Sequence, residues 1–138
     1  MQDVPANAPL CAPADANTRK PRIVMPPHAC DTHAHVCGPF AKYAYAAERL
    51  YTPPDDTWPM YRRMLDTIGV DRAVLTQPSV YGADNTALVD ALATGGSSVR
   101  GVAVVSRGST TPPCTRSTRP ACAGFGSTSW TGGRTGMS

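Results

Sequence analysis

The pattern of apolar and polar positions along the chain predicts three strands separated by two helices. A strand-like stretch runs from Cys30 to Val36, with prolines before it and Gly38-Pro39 after it. Two further apolar runs, at residues 71–79 and 100–105, predict the second and third strands. The third run, RGVAVV, is continuously apolar after its arginine and glycine, which is typical of a strand covered on both faces.

The first helix is predicted from both its end signals and its apolar spacing. Thr57 is a candidate N-cap, Pro59 lies in the first turn, where proline is tolerated, and Gly69 ends the helix. Apolar side chains recur at helical spacing and predict a buried face made of Met60, Met64, Leu65 and Ile68. We therefore expect an amphipathic helix after the first strand.

The second helix has a similar set of signals. Asp84 or Asn85 can cap its start, and Gly95-Gly96 closes it. Its predicted buried face consists of Leu88, Val89 and Leu92. The resulting order of strand, helix, strand, helix and strand predicts a parallel α/β domain.

The two ends of the chain differ in composition from its middle. Residues 1–27 are rich in Pro, Ala, Asn and Asp, which predicts a flexible leader. Residues 106–138 contain no Val, Ile, Leu, Asp, Glu or Lys, and 19 of these 33 residues are Ser, Thr or Gly. Because such a segment buries too little apolar surface to offset the entropy lost on ordering, we expect it to be disordered. Residues 28–105 remain as the folded unit.

Charge and cysteine usage exclude several classes of protein. The net charge of +3 comes from the tail, because residues 1–105 sum to −1 and residues 106–138 to +4. The tail arginines form no stripe or aromatic-interleaved run, so we expect no nucleic-acid partner. Five cysteines without framework spacing favour a reducing compartment, and the N-terminal stretch lacks the apolar core of a signal peptide. With no run of about 18 apolar residues, we expect a cytoplasmic protein without a membrane partner.

Candidate chemistry is concentrated in the first predicted strand. Alternate residues of a strand face the same way, so Asp31, His33 and His35 are expected on one face. Three polar groups on one face would be costly in a closed core, but they suit a face that opens into a pocket. Parallel α/β folds place their pockets at the carboxyl ends of the strands, where this motif lies.

Four stretches together resemble a known family. CDTHAHVCGPF at residues 30–40 (with Cys30 first) resembles the first strand of the amidohydrolase superfamily, in which a His-x-His pair ends strand one of a TIM (β/α)8 barrel. YTPPDD at 51–56, GVDRAVLTQPSVYGADN at 69–85 and RGVAVV are similar to the amidohydrolase-related branch that contains 2-pyrone-4,6-dicarboxylate hydrolase. The resemblance covers about residues 26–105. It implies an incomplete barrel, made of about the first three strands and two helices.

The resemblance also implies an activity and a set of site residues. It implies a lactonase that hydrolyses a cyclic ester of a small carboxylic acid, with an anionic carboxylate or lactone as substrate. His33 and His35 match the catalytic pair, while Tyr51 and Ser79 match substrate-binding residues. In this branch the metal is typically absent, and the two histidines orient and polarise the substrate carbonyl. Asp31 could instead fix a histidine tautomer by accepting a hydrogen bond.

Two alternatives remain open from the sequence. In a metal-dependent amidohydrolase or decarboxylase, His33 and His35 would bind Zn or Mn, although a zinc site needs a third protein ligand and His28 lies before the strand. The second alternative is a non-catalytic fragment or a small binding protein on the βαβαβ core. The oligomeric state is open as well.

The tail suggests a limit on activity. A complete barrel needs about 250 residues, and the chain has 138. Read in another frame, the back-translated tail from Ser117 admits HAAGVRGVRFNLVD, which resembles the next helix end and strand of the family. We therefore hypothesise a frameshift near residues 106–110, the alternative being a genuine low-complexity tail. The arginine, later histidine and aspartate base of the family are missing, so we expect the truncated chain to be inactive.

Overall fold

The computed structural model describes residues 8–105 and 122–125 of the 138-residue chain, the last four by their backbone alone. One four-stranded parallel sheet has the strand order β1-β2-β3-β4. Its strands are β1 (Cys30–Ala34), β2 (Arg72–Thr76), β3 (Val99–Ala103) and β4 (Cys122–Phe125). The three predicted strands are confirmed, each shorter than its apolar run, whereas the fourth strand was not predicted.

Two helices connect the first three strands, as the apolar spacing predicted. They are α1 (Trp58–Ile68) and α2 (Thr86–Gly95). Thr57 occupies the N-cap position of α1, and Gly69 ends it with a φ of 79°, a left-handed conformation that glycine adopts without strain. Asn85 occupies the N-cap position of α2, while the Asp84 carboxylate accepts the Thr86 N–H at 3.0 Å. A parallel α/β arrangement is therefore confirmed.

The main core lies between the helices and one face of the sheet. Leu65 of α1, Leu75 of β2 and Val99 of β3 are almost completely buried. The remaining core members are Val36, Trp58, Tyr61, Val70, Ala73, Leu88, Ala91 and Leu92. Residues Arg100 and Val102 of β3 are only half-buried. The apolar run had predicted that β3 is covered on both faces. Within the described part of the chain, it is fully covered on one face only.

Each helix buries most of the face that its apolar spacing predicted, including Leu65 of α1 and Leu88 and Leu92 of α2, but one predicted residue of each helix is exposed. In α1, Tyr61 is buried and Met60 is 39% exposed, so the prediction was wrong for Met60. In α2, Ala91 is buried and Val89 is 50% exposed, so it was wrong for Val89 as well. On β3, Gly101 leaves room for Leu88 and Leu92 of α2, because a Cβ atom there would lie within 3.3 Å of both side chains.

A second, smaller core lies beyond the carboxyl ends of β1 and β2. It is formed by Cys37, Val80, Tyr81 and Ala87, with Tyr43, Tyr45 and Tyr51 packed against it. The Tyr81 hydroxyl accepts the Gly38 N–H at 2.7 Å, and the rings of Tyr45 and Tyr81 lie 5.1 Å apart. This tyrosine-rich cluster joins the loop after β1 to the short 3-10 turn Ser79–Tyr81 that follows β2.

The segments outside the α/β unit differ in how far the structure describes them. Residues 8–29 form no helix or strand, but Leu10 makes an isolated bridge with Thr52. The flexible leader over residues 1–27 stays a prediction. Apart from β4, the predicted disordered tail at 106–138 lies outside the described residues, as does the region of the hypothesised frameshift. No helix among the described residues is both long enough and apolar enough to span a membrane.

Candidate functional site

The two histidines of the first motif come together at the carboxyl end of β1. Both side chains are exposed, and the rings of His33 and His35 meet edge to face with centroids 5.2 Å apart. The His35 Nδ1 lies 2.8 Å from the carbonyl oxygen of Thr76, at the end of β2. Because a carbonyl oxygen only accepts hydrogen bonds, Nδ1 carries the proton in this bond, and Nε2 takes no part in it.

Asp31 does not share the face of the histidines. Asp31 pairs with Ala73, but Ala34 pairs with Leu75, so β1 has three residue steps where β2 has two. This bulge places Asp31 on the side of the sheet that the helices cover. There its carboxylate accepts a hydrogen bond of 2.7 Å from the Tyr61 hydroxyl of α1. The expectation that Asp31, His33 and His35 share one face was therefore wrong.

The tautomer-fixing role considered for Asp31 is also not what the structure shows. The other carboxylate oxygen of Asp31 accepts the backbone N–H of His33 at 3.2 Å, not a ring nitrogen. The group that orients His35 is the Thr76 carbonyl. Sequence reasoning missed it because a backbone carbonyl has no residue-type signal. Burial and the bond to Asp31 both raise the pKa of Tyr61, which keeps its hydroxyl protonated as the donor.

Tyr51 lies in the long loop between β1 and α1. It is half-buried and packs against the tyrosine-rich cluster that contains Val80 and Tyr81. That cluster includes the turn on which Ser79 lies, so the structure brings the environments of Tyr51 and Ser79 together. Ser79 itself is exposed at the first position of the turn, directly after β2 and Gln77-Pro78.

Gln77 supports the turn that carries Ser79. It is buried, its backbone N–H bonds the Val102 carbonyl at 2.9 Å, and its Nε2 bonds the Asp84 carbonyl at 2.7 Å. Its Oε1 is a buried acceptor without a hydrogen-bond partner among the described residues. Asn85 makes a comparable link to Val104, just beyond the end of β3, since its side chain bonds both the N–H and the carbonyl of that residue. The sequence singled out Asn85 only as a candidate helix cap, and it did not single out Gln77.

The donor set at the histidine pair falls short of a complete divalent metal site. A catalytic zinc site uses three protein ligands and an open position. His33 and His35 supply two imidazoles, and the described residues contain no group of three or more His, Cys, Asp or Glu side chains that could hold a metal. His28 is no third ligand, because it lies at the other end of β1, where its backbone N–H bonds Asp71 at 2.6 Å.

Comparisons with known proteins point to enzymes of one kind. The chain is 39% identical over 85 residues to a 4-sulfomuconolactone hydrolase of Hydrogenophaga intermedia, covering 62% of this chain and 28% of that protein. It is 42% identical over 92 residues to a 2-pyrone-4,6-dicarboxylate hydrolase of Comamonas testosteroni, covering 67% and 30%. The chain thus spans less than a third of the length of these curated relatives.

Two crystal structures resemble the described fold. One is a probable 2-pyrone-4,6-dicarboxylic acid hydrolase of Acinetobacter baumannii with citric acid bound, at a TM-score of 0.54 and 30% identity, covering 57% of this chain and 29% of that one. The other is an apo protein of Agrobacterium tumefaciens, at a TM-score of 0.55 and 23% identity, covering 67% and 32%. The second likeness supports the fold alone.

The family model gives the most direct assignment. A model described as amidohydrolase matches residues 30–112, which is more than half of the chain. The matched region begins at the first residue of β1 and includes the histidine pair, both helices and β3. The chain therefore belongs to the amidohydrolase family.

Proposed function

We propose that the chain is part of a lactonase-type amidohydrolase that hydrolyses a cyclic ester of a small carboxylic acid. The observation that carries the proposal is the exposed pair His33 and His35 at the carboxyl end of β1, beside the turn after β2. The relatives named as hydrolases of 2-pyrone-4,6-dicarboxylate and 4-sulfomuconolactone support a small anionic lactone as the substrate.

The proposed reaction adds water to the ring carbonyl of the lactone. The water oxygen forms a bond to that carbonyl carbon and gives up a proton, the ring carbon–oxygen bond breaks, and a proton is returned to the released ring oxygen. His35 is proposed to orient the carbonyl, because its ring is exposed and is held by the Thr76 carbonyl through Nδ1. In its protonated form, Nε2–H donates to the carbonyl oxygen and stabilises the negative charge that develops there. His33, with its ring against that of His35, is proposed to share this role.

Tyr51 and Ser79 are proposed to bind the carboxylate groups of the substrate. A tyrosine or serine hydroxyl can donate a hydrogen bond to a carboxylate oxygen. The support is their common location, since Tyr51 packs on the cluster that includes the turn beginning at Ser79. Gln77 is proposed to hold that turn in place through its bonds to the Asp84 and Val102 carbonyls.

The complete activity is proposed for a full (β/α)8 barrel, not for the 138 residues alone. The described sheet has four parallel strands with two helices on one face, which is consistent with the first part of such a barrel. We propose that the 138-residue chain is inactive by itself, because the arginine, the later histidine and the aspartate base that the family resemblance implies are missing from its sequence.

A chimera tests the proposed function. Residues 8–105 would replace the matching segment of the Comamonas testosteroni hydrolase, and hydrolysis of 2-pyrone-4,6-dicarboxylate would be followed by absorbance. We expect an active chimera, with activity falling at least about 100-fold in His35→Asn, because asparagine keeps a donor for the Thr76 carbonyl but has no Nε2. Full activity in His35→Asn and in the matching His33→Asn would contradict the proposed roles.

The same chimera separates the lactonase from a metal-dependent enzyme. Members of the amidohydrolase family commonly use a divalent metal, and the histidine pair could supply two of its ligands. Activity that survives dialysis against a chelator supports the metal-independent lactonase. Activity that is lost on chelation and restored by zinc or manganese supports the metal-dependent alternative.

A further inference from the structure

The segment that carries Tyr51 is held from one side by the N-terminal part of the chain. The backbone N–H of Thr52 bonds the Pro9 carbonyl at 2.8 Å, and the Cys11 N–H bonds the Thr52 carbonyl at 2.9 Å. The Thr52 hydroxyl also bonds the Ala8 carbonyl at 3.1 Å. Residues 8–11, here called the strap, therefore meet every backbone and side-chain polar group of Thr52.

Arg49 completes this arrangement from within the loop. Its Nε donates to the Thr52 hydroxyl oxygen at 3.0 Å, and one terminal nitrogen donates to the Ala46 carbonyl at 3.3 Å. Its guanidinium carbon lies 5.9 Å from the centre of the Tyr45 ring. The Thr52 hydroxyl is thus shared between Arg49 and the strap, so it links the two.

The same segment is held from the other side by the turn after β2. The Ala46 N–H donates to the Val80 carbonyl at 2.7 Å, and the Tyr45 ring packs on Tyr81. Tyr51 therefore lies in a segment fixed at one end to the turn that begins with Ser79 and at the other end to the strap. Among the described residues, neither the strap nor Thr52 forms a hydrogen bond to His33 or His35.

We propose that the strap and Thr52 are positioning elements of the substrate site, which act by holding Tyr51 against the turn that carries Ser79. This inference rests on the proposed substrate-binding role of Tyr51. A loop that is already ordered loses less conformational entropy when a ligand binds, so anchoring it increases affinity without adding a contact. Residues 8–11 thereby belong to the proposed binding apparatus, although they lie about 40 residues from Tyr51 in the sequence.

Matched threonine substitutions test the inference in the 138-residue chain. Thr52→Val removes the hydroxyl and keeps the shape, Thr52→Ser keeps the hydroxyl, and Thr18→Val is a control because the Thr18 hydroxyl bonds only the nearby Asp15 carbonyl. Each protein would be labelled with 3-fluorotyrosine, and the Tyr51 fluorine resonance would be assigned by its loss in Tyr51→Phe. A variant lacking residues 1–11 would be measured in the same way.

The fluorine resonance of Tyr51 is expected to move only in the variants that remove contacts between the strap and Thr52. Thr52→Val and the deletion should move the Tyr51 resonance toward the solvent-exposed position, whereas Thr52→Ser and Thr18→Val should leave it in place. An unchanged Tyr51 resonance in both Thr52→Val and the deletion would overturn the inference. A resonance that moves equally in Thr18→Val would overturn it too, because the effect would then be general loosening.

Affinity provides the second measurement and separates this inference from the proposed function. Titration with 2-pyrone-4,6-dicarboxylate should give a dissociation constant about fivefold weaker for Thr52→Val, corresponding to the loss of one neutral hydrogen bond, and recovery in Thr52→Ser. If no variant, including the unaltered chain, binds the dicarboxylate, the 138 residues do not bind the proposed substrate without the rest of the barrel. The fluorine spectra then still decide whether the strap holds Tyr51.

Discussion

At the residue scale, one backbone carbonyl and one carboxylate side chain hold the histidine pair in place. The Thr76 carbonyl fixes the His35 tautomer, and the Asp31 carboxylate fixes the backbone of His33. Asp31 in turn is held by Tyr61, a core residue of α1. A side chain that is oriented before the ligand arrives needs no reorganisation during the reaction, which is the physical advantage of such support.

The sequence predicted the location of the pair but not the direction of Asp31. Alternation along Cys30–Val36 identified His33 and His35 correctly as neighbours on one side. The direction of Asp31 depends on the bulge opposite β2, where Asp31 pairs with Ala73 and Ala34 pairs with Leu75. Such a bulge depends on pairing between strands that are about 40 residues apart, and the five residues of β1 carry no local sign of it.

Cys37 provides a prediction on pH dependence at this scale. Burial, with a further contribution from Asp56 and Asp55, raises the pKa of the Cys37 thiol from 9.0 to about 11. A folded pKa above the unfolded value means that the unfolded state loses its proton first as the pH rises. The contribution of Cys37 to the free energy of unfolding is therefore complete below pH 9.0 and is lost as the pH rises toward 11.

The test compares the slope of unfolding free energy against pH, measured by denaturant titration. The buried tyrosines, whose pKa is also raised from its ordinary value of 10, add to that slope as the pH approaches 10, but they do so equally in the unaltered chain and in the cysteine variants. We expect stability to fall between pH 9 and 10 in the unaltered chain, and the slope to flatten in Cys37→Ala. Cys30→Ala, which removes an exposed thiol, is the control and should keep the slope. An equal slope in Cys37→Ala would contradict the assignment.

At the element scale, the sequence predicted the presence of the two helices more reliably than it predicted the residues that each helix buries. Thr57 and Gly69 mark the ends of α1 because capping is a local property. Met60 and Val89 were assigned to buried faces by hydrophobicity, yet the structure buries Tyr61 and Ala91 instead. Tyr61 reaches Asp31 with its hydroxyl, so hydrogen bonding outweighed apolar character in α1.

Gly101 gives a prediction about the contact between α2 and β3. A Cβ atom at this position would lie 2.7 Å from a terminal methyl of Leu92 and 3.3 Å from one of Leu88. Gly101→Ala should therefore lower the free energy of unfolding by about 1–3 kcal/mol through overpacking. The cost should be much smaller in a Leu92→Ala background, where the space is open. Denaturant unfolding of both single variants and the double variant measures this coupling, and additive costs would refute the contact.

At the scale of the whole molecule, the helix-covered face of the sheet is closed by a core, whereas the histidine pair is exposed. The helix-covered face of the sheet is closed by Leu65, Leu75 and Val99. The histidine pair, in contrast, lies exposed on a surface that the described residues do not enclose. Composition predicted that the middle of the chain folds. It did not predict the contact between the strap and Thr52, because most of its hydrogen bonds join backbone groups, which residue types do not specify.

The free edge of β1 leads to a prediction about self-association. Within the described residues β1 pairs only with β2, so its outer edge presents unpaired backbone groups that can pair with another chain. Thr32 is exposed on this edge strand, and Thr32→Lys should reduce association by placing a charge there. Val89→Lys adds the same charge to an exposed position of α2 and serves as the control.

Sedimentation velocity over a series of protein concentrations measures the outcome. If strand pairing drives association, Thr32→Lys should shift the distribution toward monomer, while Val89→Lys should resemble the unaltered chain. An equal shift in both variants would mean that net charge, not the edge, controls association. An increase in monomer for Val89→Lys alone would instead assign the contact to the exposed apolar side of α2, and the edge of β1 would then play no part in it.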